Sequence, residues 1–238
     1  MDKFKINGPS KIRGEVSISG SKNAALPILA ATLLFDKNVT IKNLPRVKDI
    51  DTMLNLLKSL GRKISFKNNK KIATISKGKK NNFFAPYSLV KTMRAGILVL
   101  GPLLAKNKKA KVSSPGGCSI GVRPIDIHLK AISKLGVKIQ IEKGYVNAKA
   151  QEGLVGSEIR FSKISVGATE NLILAACLAK GTTTIKNCAI EPEIKDLTNF
   201  LKTAGAKIKW IGKRTLKIEG VKTLKSITYS IMNDRIEA

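Results

Sequence analysis

The sequence predicts an α/β (α+β) domain built from one unit used three times, with helices inside and sheets outside. Three observations predict it. A short phrase recurs: Leu60-Gly61-Arg62-Lys63-Ile64 returns as Leu135-Gly136-Val137-Lys138-Ile139 and as Ala204-Gly205-Ala206-Lys207-Ile208, and a repeat of that period marks a repeated supersecondary unit. One helix in each copy is apolar nearly all round, which demands burial on every side. After each recurring glycine the hydrophobic period switches from a helical one to two, the sign of half-exposed strands. Each copy therefore reads helix-strand-helix-strand-strand.

Taken in order, Phe4-Lys5-Ile6, a turn at Asn7-Gly8-Pro9, and Val16-Ser17-Ile18 read as strands ahead of the first copy. The first copy (about 21–80) opens with the all-round apolar helix Ala24 to Leu34 and continues into the strand Thr40-Ile41-Lys42-Asn43. A striped helix follows, with Ile50, Met53, Leu54, Leu57 and Leu60 at helical spacing. It ends at Gly61, a natural residue for the left-handed stop of a helix. The second copy (about 86–150) has its apolar helix over Leu89 to Ala105 and its strand at Lys111-Val112-Ser113-Ser114. The third (about 157–222) has Val166 to Ala179, then Thr184-Ile185-Lys186-Asn187, then the stripe Leu197, Phe200, Leu201 and Ala204. Ile208 and Trp210 then alternate with Lys207 and Lys209, and Leu216 and Ile218 with Lys217 and Glu219. Ile227 to Ile231 reads as one more strand. Asp234 and Glu237 are spaced as in a capping box, the opening of a helix. The domain of three repeats thus spans 21–230. Residues 1–20 and 231–238 read as belonging with a second domain that is largely absent.

One connection is longer than its counterparts. From strand to glycine the copies run 40–61, 111–136 and 184–205, so the second carries four extra residues. They fall at Ser114-Pro115-Gly116-Gly117-Cys118-Ser119-Ile120-Gly121-Val122-Arg123-Pro124. A repeat keeps its connections short unless something uses the length. Three glycines let backbone N–H groups approach an anion, and Arg123 adds a fork of donors for phosphate or carboxylate. The loop therefore reads as an anion site holding one ionisable thiol. On its own the loop reads first as a turn around a buried cysteine; the extra length against the other two copies turns the reading to function.

The net charge is +28, and 44 residues are Lys or Arg. Most are lysines spread along the whole chain, and runs such as Lys77 to Lys80 and Lys106 to Lys109 have no interleaved aromatics to stack bases. We read them as solvated faces and do not expect a nucleic-acid partner. The N-terminus has no apolar segment of a secretory signal, and the longest uncharged apolar run, Ala95 to Ala105, is too short to span a bilayer. Three cysteines, Cys118, Cys177 and Cys188, make no metal spacing and no disulfide framework. A cytoplasmic location is expected, without membrane, metal or cofactor.

Pro115 to Pro124, Gly20-Ser21-Lys22-Asn23-Ala24-Ala25-Leu26-Pro27, Lys91-Thr92-Met93-Arg94-Ala95, Ser165-Val166-Gly167-Ala168-Thr169 and Glu191-Pro192-Glu193-Ile194 together resemble the UDP-N-acetylglucosamine enolpyruvyl transferases. The match runs along the whole chain in order. The related enolpyruvylshikimate-phosphate synthases share the fold but lack the cysteine loop. The resemblance implies an inside-out α/β barrel in each of two domains, with the substrate cleft between them. It implies the first committed step of peptidoglycan precursor synthesis: enolpyruvyl moves from phosphoenolpyruvate to the 3′-hydroxyl of UDP-N-acetylglucosamine, and phosphate leaves. Cys118 matches the general acid. Lys22, Asn23 and Arg123 match phosphoenolpyruvate contacts. Asn23, Arg94, Arg123, Pro124, Ile125, Asp126, Ile127, Lys163, Ile164, Ser165 and Val166 match the stretches around the nucleotide sugar.

From the residues alone, Lys22 is also a solvated lysine at a helix start, and Asn23 is also a helix N-cap. Arg94 falls in a helix expected to be buried, so it needs a partner, whether substrate or an internal carboxylate. His128, Cys177 and Cys188 read as structural. Family members are about twice this length, and the resemblance places the base for the attacking hydroxyl and further arginines in the other half. The chain is accordingly expected to be nearly inactive alone. It is either a transferase seen as a fragment or as one half of a split enzyme whose second half is a separate polypeptide, or a non-catalytic remnant that only binds the nucleotide sugar, or nothing.

Overall fold

Each copy of the repeat places one apolar helix inside and one sheet outside. The computed structural model describes residues 3, 5–9, 11, 13–80, 82–91, 93–114 and 125–238. The first copy comprises α1 (Lys22–Ala31), a 3-10 turn Thr32–Leu34, β1 (Val39–Lys42), α2 (Lys48–Ser59), β2 (Arg62–Lys67) and β3 (Ile72–Lys77). The second comprises β4 (Phe84–Ala85), α3 (Tyr87–Val90), a 3-10 stretch Arg94–Val99, α4 (Leu100–Asn107), β5 (Lys109–Ser113), α5 (Asp126–Ser133), β6 (Lys138–Glu142) and β7 (Tyr145–Lys149). The third comprises β8 (Glu158–Arg160), α6 (Val166–Ala176), β9 (Thr182–Lys186), α7 (Pro192–Thr203), β10 (Lys207–Gly212) and β11 (Thr215–Glu219), and β12 (Ile227–Ser230) follows.

The all-round apolar helices are buried as their composition requires. Every residue from Ala24 to Ala31 is buried in α1, and every residue from Ala168 to Ala176 in α6. Both start on a serine cap: Ser21 Oγ accepts from the Ala24 N–H and Ser165 Oγ from the Ala168 N–H. The striped helices lay their apolar rows inward, Ile50, Met53, Leu54, Leu56 and Leu57 in α2 and Ile194, Leu197, Phe200 and Leu201 in α7. The recurring glycines stop them as expected. Gly61, Gly136 and Gly205 have φ of 93°, 85° and 97°, where a side chain would be strained.

The single helix expected over Leu89 to Ala105 is broken into α3, the 3-10 stretch and α4. The cause is visible. The Asn171 side chain of α6 inserts into one helical hydrogen bond: its Oδ1 accepts from the Gly101 N–H at 2.8 Å and its Nδ2 donates to the Ile97 carbonyl at 3.0 Å. Those two backbone groups would otherwise bond each other, and an inserted side chain kinks a helix. Pro102 adds to the break, having no N–H to give the Leu98 carbonyl.

Three four-stranded sheets surround the helices, in the orders β12-β1-β3-β2, β4-β5-β7-β6 and β8-β9-β11-β10. They share one plan. Three strands of a copy pair antiparallel, and one further strand lies parallel at the edge: β4 on β5, β8 on β9 and β12 on β1. In the second and third copies that edge strand precedes the copy's buried helix. In the first it comes from the far end of the chain, with Val39 opposite Ile227 and Lys42 opposite Ser230. This explains a correction. Strands were expected at Phe4–Ile6 and Val16–Ile18, yet the described residues before Gly20 form none. The equivalent seat in the first sheet is filled by β12.

At the end of the chain the spacing of a capping box is present but only half of the box forms. Asp234 Oδ1 accepts from the Ile236 N–H, as an N-cap would. Glu237 does not return to Asp234; its carboxylate takes the hydroxyl and N–H of Ser19. The segment therefore turns against residues 19–20, with Gly20 bridged to Asn233, and no helix forms. Among the described residues no helix is long and apolar enough to cross a membrane.

Candidate functional site

A string of contacts gathers the starts of the buried helices at one end. Lys22 is the first residue of α1, and its Nζ lies 3.1 Å from Asp49 Oδ2 in the first turn of α2. Beside it Asn23 is exposed. Ser21 caps this helix, so the alternative of Asn23 as N-cap fails. The Ser21 N–H donates to the Met232 carbonyl, and the Met232 N–H donates to Asp196 of α7. Three residues before Asp196, in the first turn of α7, is Glu193, whose Oε1 accepts from Arg235 Nε at 3.0 Å. Glu193 also acts electrostatically on Glu170, the fifth residue of α6.

Arg94 stands at the start of the 3-10 stretch, where its charge acts on both Glu170 and His128. It is exposed, which corrects the expectation of a buried charge. The break in the second helix brings this residue to the rim. The segment ahead of α6 lies at the same end: Lys163, Ile164 and Val166 are exposed and Ser165 is half-buried. At the start of α5, Ile125 and Ile127 are half-buried, while Asp126 is exposed and lies 3.6 Å from Lys130 on its own helix. Cys118, Arg123 and Pro124 lie outside the described residues. Their flanks are anchored, with the Ser114 N–H donating to the Gly144 carbonyl and Ile125 preceding α5.

Sequence reasoning missed the carboxyl group at the centre of this end. Glu170 is 5% exposed, in a helix otherwise buried among apolar groups. Burial, then the neighbouring Glu193 and Glu191 carboxylates, push its pKa up to about 8, against an opposing pull from Arg94. One oxygen of Glu191 is buried with no hydrogen-bond partner. The signal was available: a glutamate inside an all-round apolar helix is as costly as the arginine that was singled out.

His128 is buried, with Nδ1 3.3 Å from Asn171 Nδ2. An amide nitrogen donates, so Nδ1 accepts and the ring is neutral with its proton on Nε2. Burial, aided by Arg94, lowers its pKa to about 4. Cys177 and Cys188 are fully buried, and burial pushes their thiols up to about 12 and about 11. Neither is a nucleophile at neutral pH. Among the described residues no group of three or more His, Cys, Asp or Glu could hold a metal ion.

Comparison with known proteins places this geometry in a lineage. A family profile described as EPSP synthase (3-phosphoshikimate 1-carboxyvinyltransferase) matches residues 6–238. A UDP-N-acetylglucosamine 1-carboxyvinyltransferase of Pelagibacter ubique (strain HTCC1062) is 65% identical over 238 residues, covering 100% of this chain and 57% of the relative. One of Psychrobacter sp. (strain PRwf-1) is 52% identical over 239 residues, covering 100% of this chain and 55% of its own length. The chain thus spans little more than half the length of these relatives. Among solved structures, the enolpyruvyl transferase NikO from Streptomyces tendae superposes with a TM-score of 0.83 at 22% identity, over 98% of this chain and 55% of that one. At that identity the likeness speaks for the fold.

Proposed function

The chain belongs to the EPSP synthase family, and from that premise we propose that it forms one wall of an enolpyruvyl transferase cleft acting on UDP-N-acetylglucosamine. The names of the relatives at 65% and 52% identity support this choice of acceptor. The three sheets are the faces of an inside-out barrel, and the gathered helix starts are its substrate end. The observation that carries the proposal is the assembly there of Lys22, Asn23, Arg94 and Lys163–Val166, alongside the two anchors of the cysteine loop.

The chemistry suits that wall. Phosphoenolpyruvate is a small dense anion, and Lys22 with Arg123 supplies charge to hold it, aided by the starts of buried helices. Arg94, Arg123–Ile127 and Lys163–Val166 contact the nucleotide sugar, and Asn23 lies near the reacting sugar hydroxyl. In the addition step the 3′-oxygen bonds to C2 of phosphoenolpyruvate while the Cys118 thiol gives its proton to C3. In the elimination step a proton leaves C3 and phosphate leaves C2, which restores the double bond. The proton of the attacking hydroxyl goes to a base that the family resemblance places outside these residues. The product feeds peptidoglycan precursor synthesis.

Fosfomycin, an epoxide that alkylates thiolates, tests the site. Mass spectrometry is expected to find one adduct per chain, on Cys118. Cys177 and Cys188 stay unmodified because both thiols are buried and held protonated. Equal labelling of all three, or none on Cys118, overturns the assignment. A second reading, a binding wall without turnover, follows from the chain's covering 57% of its relative. Phosphate release from the two substrates by the 238-residue chain decides against it.

A further inference from the structure

Helix α7 carries two polar faces. The acids Glu193 and Asp196 bond to the end of the chain. Lys195, Thr198, Asn199 and Lys202 fall at i, i+3, i+4 and i+7 and share another face. That face is one side of a groove of about 410 Å³, whose other side is Trp210 of β10 and Lys213 in the turn after it. The volume is that of a small-ligand site, about 300–1,000 Å³. Three lysines line the groove and no carboxylate does. Among the described residues no ion pair uses Lys195, Lys202 or Lys213. The groove shares no residue with the substrate end.

The other two copies carry different residues at the same places. Ten residues before the recurring glycine stand Asp51 and Asp126, but in the third copy Lys195. Lys195 is the fourth residue of α7, where the field of the helix favours an acid and opposes a cation. Seven residues before the glycine, Leu54 and Leu129 pack against the core. The third copy has Thr198, whose hydroxyl donates to the Lys195 carbonyl at 2.9 Å. Five residues after the glycine stand Phe66, Ile141 and Trp210. In the first copy Lys70 lies over the Phe66 ring at 5.9 Å, while among the described residues no lysine lies over Trp210. A lysine-rich chain accounts for Lys202 and Lys213 as solvated side chains. It does not account for an acid exchanged for a base, and a leucine for a threonine, beside an indole.

We infer that this groove is a second ligand site, which binds a free purine nucleoside triphosphate: the base stacks on Trp210 and the phosphates lie among Lys195, Lys202 and Lys213. A planar ring uses the indole, and base–aromatic stacking does not depend on base-edge hydrogen bonds. A polyanion uses the three ammonium groups through charge-assisted hydrogen bonds. A ligand with only one of these parts satisfies half of the groove. The volume takes one nucleotide. An anion among these lysines also offsets the misplaced cation in the first turn of α7. The inference does not depend on the reaction at the substrate end.

Trp210 is the chain's only tryptophan, so its fluorescence reports on the groove alone. Titration of the 238-residue chain with magnesium-free ATP, excited where tyrosine does not absorb, is expected to give saturable quenching. Lys195→Asp, the residue of the other two copies, is expected to weaken ATP about tenfold. Lys22→Ala, at the substrate end, is expected to leave ATP affinity within about twofold. Inorganic phosphate is expected neither to quench nor to displace ATP at equal concentration. No quenching, or quenching that rises without saturation, overturns the inference, and this is read on the unaltered chain whatever the variants do. Equal affinities in the parent and Lys195→Asp overturn it, as does displacement by phosphate. A loss in Lys22→Ala as large as in Lys195→Asp places ATP at the substrate end and overturns the second site. A single-stranded oligonucleotide that binds more tightly than ATP, with a steep loss on adding salt, overturns the choice of a free nucleotide.

Discussion

Gly101→Ala is expected to destabilise the domain by about 2 kcal/mol, and the figure can be built from the contact between α4 and α6. A Cβ at position 101 would sit 2.4 Å from the Asn171 carbonyl oxygen, 2.7 Å from its Oδ1 and 3.2 Å from the Ala175 nitrogen. The nearest of these is backbone, so no rotamer change clears it. The two helices must separate by most of an ångström, and overpacking of this kind costs about 1–3 kcal/mol. Separation also stretches the 2.8 Å bond from the Gly101 N–H to Asn171 Oδ1, worth about 1 kcal/mol. Against this, alanine is favoured over glycine inside a helix by about 1 kcal/mol. Urea unfolding followed by far-UV circular dichroism measures the balance. Adding Asn171→Ala should not rescue the variant, because the closest clash is with the residue's backbone. A Gly101→Ala protein as stable as the parent, or a double variant restored to the stability of Asn171→Ala alone, would refute the close approach of the helices.

Two further outcomes are expected. The His128 ring is held neutral, with its pKa lowered from 6.5 to about 4, so the stability it contributes is complete above pH 6.5 and is lost as pH falls towards 4. That loss is about 3 kcal/mol. In His128→Gln the drop in unfolding free energy between pH 7 and pH 4 should be smaller by about that amount, and equal drops would contradict the buried neutral ring. Tyr229→Phe removes a hydroxyl that donates to Asp196 Oδ1 at 2.6 Å while keeping the ring edge against Phe200. Asp196 is 8% exposed, so denaturant titration at pH 7 should show a loss of about 1.5–3 kcal/mol. An unchanged midpoint would show that the hydroxyl is dispensable to the seating of β12.

Patterns carried by many residues were readable in the sequence, and features resting on one long-range contact were not. The recurring glycines, the all-round apolar rows and the alternating strands are local signals repeated three times, and each repetition supports the others. The broken second helix depends on Asn171, far away in sequence, whose amide enters a single backbone bond between Ile97 and Gly101. No periodicity reports such a partner. The N-terminal strands were misplaced for a similar reason. Val16-Ser17-Ile18 has the alternation of a strand, but a strand needs a ladder, and β12 occupies the one in the first sheet. At the candidate site, Lys22, Asn23, Arg94 and Lys163–Val166 were singled out by resemblance to a family. Glu170 belonged to none of the quoted motifs, and its importance comes from burial beside Glu193 and Glu191.

The way the end of the chain is seated explains why those carboxylates lie near one another. The first sheet borrows its parallel edge strand from the end of the chain, so the third copy must hold that segment in place. Helix α7 does so with acids. Asp196 takes the Tyr229 hydroxyl and the Met232 N–H, and Glu193 takes Arg235. Both lie on the face of α7 turned towards the chain end, and the charge of Glu193 also acts on Glu170 of α6. A carboxylate that fastens β12 therefore raises the cost of charge on Glu170. The seating of β12 and the electrostatics around Glu170 are coupled through Glu193. Loosening the fastening at Arg235 leaves Glu193 a buried charge without its guanidinium. The negative potential at Glu170 then deepens, and its proton is held to higher pH. The seat of the last strand thus adds, through Glu193, to what burial already does to the Glu170 carboxyl.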